Sequence, residues 1–166
     1  MKKAYIMLIL GVLCLMYTVH DFYSILPIPV FVIDDPIMAK SEEMLRYAGC
    51  PEKKIPILAH AVSTASKSTD GEISPALIVA LVRTESTYKS DAISSKGYKG
   101  LMQTPKATFE YADVDILYGV RILRDKIRIA NGNLELALAL YKGGNNPEAK
   151  RYAKQTMNLY MQLAMK

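Results

Sequence analysis

The chain has 166 residues, a formal charge of +5 and 51% hydrophobic residues, which suits one ordinary domain with a real core plus an extension and excludes a disordered chain. Its only cysteines and histidines are Cys14, Cys50, His20 and His60, so neither a disulfide framework nor a metal-ligand cluster can be assembled, and no flanking motif makes Cys50 part of a Cys-His nucleophile. The basic surplus suits an anionic polymer and is also ordinary for a soluble domain, while nucleic acid is disfavoured by the lack of any binding motif.

Residues 1–20 open with Lys2-Lys3 and continue as an uncharged run from Ala4 to Val19. The run is long for the core of a cleaved signal and slightly short for ~30 Å of hydrocarbon, although His20, Phe22 and Tyr23 extend it toward the interface. No small-x-small cleavage site follows, and bulky Leu13 precedes Cys14, which excludes a lipoprotein site. An uncleaved anchor in the cytoplasmic membrane is favoured over a cleaved signal. Lysines before the run, with Asp21, Asp34 and Asp35 after it, place the remainder on the periplasmic side.

Residues 21–54 form the next unit. Pro27 and Pro29 interrupt an apolar stretch and predict an extended tether. Ser41 is expected to cap a short helix that ends at Gly49, with Pro51 beyond. Residues 55–166 are helical in pattern throughout. A helix over Ile55 to Ser68 has an inward stripe of Ile57, Leu58, Ala61, Val62 and Ala65, and Asp70-Gly71 turns the chain.

Ser74-Pro75 then reads as an N-cap followed by proline at the first helical position, predicting a helix to about Tyr88. Ile78, Leu81 and Val82 precede Glu85 by seven, four and three, so this carboxylate lies on the apolar face. Loss of water disfavours a carboxylate's charged form and keeps a proton at hand near neutral pH, which suits a general acid. The plainer alternative is a glutamate paired with a buried arginine or reaching the surface at the helix end.

Further on, Asp115 is expected to cap a helix carrying Ile116, Val120, Leu123 and Ile127, stopped by Asn131-Gly132. Asn133 starts LELALALYKGG. Asn146-Pro147 opens the last helix, with Tyr152, Ala153, Thr156, Met157 and Tyr160 on its inner side and Lys150, Arg151 and Lys154 on a solvated face.

The pattern Glu85-Ser86, Tyr88, Ala92, Ser94, Gly97, Gly100-Leu101-Met102-Gln103, Pro105 and Thr108 resembles the lytic transglycosylase family of soluble type, the SLT domain, which is related to goose-type lysozyme. Gly119 matches that family's helix glycine. Ala137, Ala139, Tyr141 and Gly144 match its Ala-x-Ala-Tyr-Asn-Ala-Gly signature, where Lys142 replaces the asparagine and Gly143 the alanine. The segment after Thr108 is shorter than is usual, which shortens a groove wall.

The resemblance implies an all-α, lysozyme-like helical domain, here preceded by the single N-terminal membrane segment read from the apolar run. It further implies cleavage of the β-1,4 bond between N-acetylmuramic acid and N-acetylglucosamine in peptidoglycan, without a cofactor. Glu85 would protonate the leaving oxygen and then act as base toward the muramoyl 6-hydroxyl, closing a 1,6-anhydro ring. Most glycosidases need two carboxylates, whereas an internal nucleophile lets one suffice. Asp91, Glu110, Asp113 and Asp115 lie in no partner motif.

By the same resemblance Ser94, Gln103, Gly100, Met102 and Tyr141 contact substrate, with the Tyr141 hydroxyl close to Glu85 and orienting it. A Lys142 ammonium within ~5 Å would weaken the acid; its side chain is expected in solvent. The partners implied are glycan strands and the inner membrane, with an envelope-spanning machine left open. A hydrolytic muramidase and a non-catalytic glycan-binding or scaffold protein remain the alternatives.

Overall fold

Short polar caps followed by proline start three of the helices in the structure, a computed structural model that describes residues 35–105 and 111–166. Asp35 accepts from the Ile37 amide (3.1 Å) ahead of α1, Pro36–Tyr47. Ser74 caps α3, Pro75–Ser86, and Asn146 caps α6, Pro147–Ala164. Such side-chain oxygens satisfy amides that the first helical turn leaves without partners. Between them lie α2 (Ile55–Lys67), α4 (Ala112–Ile129) and α5 (Leu134–Lys142), the last capped by Asn133. Among the described residues the fold is all-helical, with extended pairing limited to the isolated bridges Ile93 to Lys99 and Lys99 to Thr104. This architecture fits the lysozyme-like class.

The centre of the body is α3. Ala76 through Val82 are each at most 4% exposed, so this helix is apolar on all sides over its first two turns, as a helix surrounded by others must be. It packs against α1, α2, α4 and most closely α6. Each fully buried Ile, Leu or Val on it contributes about 1.5–3 kcal/mol of transfer free energy. Around it α1 packs on α2, α2 on α4, α4 on α5 and α5 on α6. The arrangement leaves the C-terminal end of α3, and with it Glu85, facing α5 and α6.

Two helix starts and one face residue differ from expectation. The first helix begins at Pro36, and Ser41 is inside it, donating to the Ile37 carbonyl (2.7 Å). Asp35 is the stronger start because it also accepts from Ser63 Oγ (2.6 Å) and Lys67 Nζ (2.7 Å) on α2, which pins α1 to its neighbour. Asp115 is not a cap either. The helix starts three residues earlier, and Asp115 is buried in its first turn, where a negative charge still faces the positive end of the helix dipole. On α2 the stripe of Leu58, Ala61, Val62 and Ala65 is buried, but Ile57 is 60% exposed, off the edge of that stripe.

Among the described residues no helix is long and apolar enough to cross a membrane. The anchor expected over Ala4 to Val19, with Cys14 and His20, and the tether with Pro27 and Pro29 lie outside the described residues, as do 106–110, which include Thr108 and Glu110. Cys50 is a free, buried thiol.

Candidate active site

The site is built where α3 ends. Thr87 (φ 52) and Tyr88 (φ 64) both adopt the left-handed conformation, uncommon for residues with a Cβ and more so for β-branched Thr87. Tertiary contacts hold the turn. The Tyr88 ring is 1% exposed, its hydroxyl donates to the Ala48 carbonyl (3.4 Å), and its own carbonyl accepts from Lys54 Nζ (2.6 Å). The aromatic two residues after Ser86 thus anchors the chain at the end of α1 and sends the following loop back across the end of α3.

That loop is held mainly by its own backbone. Gly97 and Gly100 take φ values of 78° and 80°, a region that glycine enters without steric cost. Ser94 Oγ accepts from the Tyr98 amide (2.9 Å), and the Gly100 amide donates to Ala92 O (3.0 Å). Gln103 Nε2 donates to the carbonyls of Ala92 (3.0 Å) and Gly100 (2.8 Å). Both amide donors of Gln103 therefore go to the loop, and what it can offer a ligand is its amide oxygen.

Glu85, Ser94, Gln103 and Tyr141 line one cavity, together with Ser95, Lys96, Tyr98, Lys142, Asn146, Glu148 and Ala149. Gly100 and Met102 do not. Gly100 is buried within the loop, and Met102 is 0% exposed, its side chain filling the space over Gly119 of α4. The family-type helix glycine is explained by this contact: a Cβ on Gly119 would lie 2.5 Å from Met102 Cβ.

The Tyr141 hydroxyl is not bonded to Glu85 as expected. It donates to the Met102 carbonyl (2.8 Å), next to the positive-φ turn at Gln103. The tyrosine does lie near the carboxylate, since burial first and the charge of Glu85 second push its pKa well above the ordinary tyrosine value.

The Glu85 side chain is 2% exposed, and its Oε2 accepts from Lys142 Nζ at 3.0 Å. This corrects the expectation that Lys142 points to solvent. Lys142 follows Tyr141 on α5, and its ammonium also stands 4.8 Å above the Tyr152 ring of α6. Pairing relieves the cost of a charged carboxylate cut off from water, and the plainer sequence reading of Glu85 as half of an ion pair is realised with a lysine.

Tyr152 is the residue that sequence reasoning undervalued, placing it only on the inner side of the last helix. Its hydroxyl is buried without a hydrogen bond of ordinary geometry. Burial, then the charge of Glu85 and contact with that carboxylate, raise its pKa well above the usual value. The hydroxyl therefore stays protonated beside the carboxylate. Glu85 thus sits among one ammonium and two tyrosines, in a cavity otherwise walled by serines, amides, Tyr98, Lys96, Glu148 and Ala149. Such a surface suits a polyhydroxylated, amide-bearing ligand.

No solved structure matches the chain. Residues 63–162 match the family model described as the transglycosylase SLT domain, a span that holds α3, the loop over it, α4, α5 and most of α6. This family comprises lytic transglycosylases, which cleave peptidoglycan, and the chain belongs to it.

Proposed function

We propose that the protein cleaves the β-1,4 bond between N-acetylmuramic acid and N-acetylglucosamine without water, with Glu85 as the single acid and base. The observation that carries the reading is the placement of a 2% exposed glutamate side chain on the wall of a polar cavity, within a chain of this family. In the first step the Glu85 proton goes to the glycosidic oxygen as the bond from C1 to that oxygen breaks. In the second the muramoyl 6-hydroxyl oxygen bonds to C1 and its proton returns to Glu85. The product carries a 1,6-anhydro end and the carboxyl group is regenerated. Ser94, through its hydroxyl, and Gln103, through its amide oxygen, hold sugar groups. Tyr141 fixes the loop, and Tyr152 orients the carboxyl group.

The same reading puts the domain outside the cytoplasmic membrane, tethered by Ala4 to Val19, where its substrate lies. Glu85→Gln, which keeps the shape and removes the proton carrier, is expected to lower release of soluble fragments from purified peptidoglycan by about a thousandfold. Undiminished release by that variant contradicts the reading.

One observation favours a second reading, a hydrolytic muramidase. Glu148 lines the same cavity as Glu85, and a second carboxylate is what an enzyme that activates water requires. Reducing ends in place of 1,6-anhydro ends distinguish it.

A further inference from the structure

Two lysines meet in this cavity, and a neutral sugar gives neither of them a partner. Lys142 is bound to Glu85 at 3.0 Å yet remains 34% exposed, so its ammonium reaches both the buried carboxylate and the open cavity. Lys96 comes from the loop between α3 and α4, its Nζ 3.4 Å from where a Cβ on Gly143, the neighbour of Lys142, would stand. Lys96 is exposed, and no ion pair within the described residues includes it. Two ammonium groups converging on one opening match a ligand that carries a carboxylate.

We infer that Lys96 and Lys142 together receive a carboxylate carried by the glycan, the free lactyl group of a muramoyl residue without its peptide, and that Lys142 releases Glu85 in doing so. The inference rests on the proposed peptidoglycan substrate. The groups facing Glu85 are Lys142 and Tyr141 from α5 and Tyr152 from α6, with Lys96, Tyr98 and Glu148 around the cavity. When the ammonium turns to the incoming carboxylate, Glu85 is left buried beside two protonated tyrosines with no cation of its own. The ammonium exchanges one carboxylate for another. Substrate charge thereby frees the acid of its cation, and Lys142 becomes a specificity device.

The test uses muramoyl oligosaccharides with free lactyl carboxylates and the same oligosaccharides converted to methyl amides. Affinities are measured in the Glu85→Gln background, where no turnover intervenes. Binding of the free acid about tenfold tighter than the amide, with the preference lost on adding Lys142→Asn or Lys96→Met, is expected. Lys96 is on the surface, so its variant reads out even where Lys142→Asn unfolds. Equal affinities, or a preference that survives both lysine variants, overturns the inference. Cleavage of both substrates at equal rates leaves the enzyme reading standing and sinks this one. A carboxylate preference in a protein that cleaves neither does the reverse.

Discussion

The Tyr141 hydroxyl and the Met102 carbonyl, 2.8 Å apart, tie the helix that carries Lys142 to the loop that carries Ser94 and Gln103. Tyr141→Phe keeps the ring and leaves a partly buried carbonyl unpaired, a loss of about 1–3 kcal/mol. Denaturant unfolding is expected to show a lower midpoint with an unchanged slope. Activity falls with it because the loop is no longer held to α5. A variant with wild-type stability and no activity contradicts this role and restores a direct one for the hydroxyl at Glu85.

Gly119→Ala forces a methyl group to within 2.5 Å of Met102 Cβ. Overpacking of this kind costs about 1–3 kcal/mol, and here the strain is passed to the turn that holds Gln103. Adding Met102→Ala removes two of the three colliding atoms, Cγ and Cε at 2.7 Å, and leaves only the Cβ contact. The double variant is therefore expected to recover part of the stability lost by Gly119→Ala, measured as coupling in a double-mutant cycle. Strict additivity sinks the explanation.

Asp35 makes stability depend on pH at the acid end. Its hydrogen bond from Lys67 first, and that from Ser63 second, hold its pKa at about 2, below the ordinary value of 3.8. Because the folded value is the lower one, its contribution is complete above about pH 4 and is lost as pH falls toward about 2. The Lys67 side chain is half exposed, so the effect is modest and weakens with salt. Asp35→Asn is expected to flatten the stability profile between about pH 4 and 2; an unchanged slope there contradicts the pairing.

Burial pushes the Cys50 thiol up to about 11, against an ordinary value of 9.0. The thiolate is the reactive form, so peptide mapping after iodoacetamide treatment at pH 8 is expected to show Cys50 unmodified in the folded protein and modified in denaturant. The sign for stability follows. The folded value is the higher one, so the contribution is intact below about pH 9 and declines as pH rises toward 11. Rapid labelling of the native protein contradicts the burial.

Signals that act within one helical turn were legible in the chain. Ser74, Asn133 and Asn146 cap helices by bonding amides three residues ahead, and the stripe of Ile78, Leu81 and Val82 placed Glu85 at the inner end of α3. Tyr88 and Gly119 were marked by motif spacing, though the burial of Tyr88 was not. What the chain did not reveal depends on residues distant in sequence. Lys142 lies 57 positions from Glu85, and nothing local to an Ala-rich helix tells whether its lysine turns outward or into a cavity formed by another helix. Asp35 outcompetes Ser41 as a cap because of partners 28 and 32 residues away. Tyr152 was legible as an inward tyrosine, but its closeness to Glu85 arises only from the packing of α6 on α3.

The most direct test of the account is to digest purified peptidoglycan in water enriched in oxygen-18 and weigh the released fragments by mass spectrometry, beside a Glu85→Gln control. The account predicts fragments with 1,6-anhydro ends and no heavy oxygen, absent from the control, since the oxygen that closes on C1 comes from the sugar itself. Reducing ends that carry one oxygen-18 contradict it and assign the reaction to water.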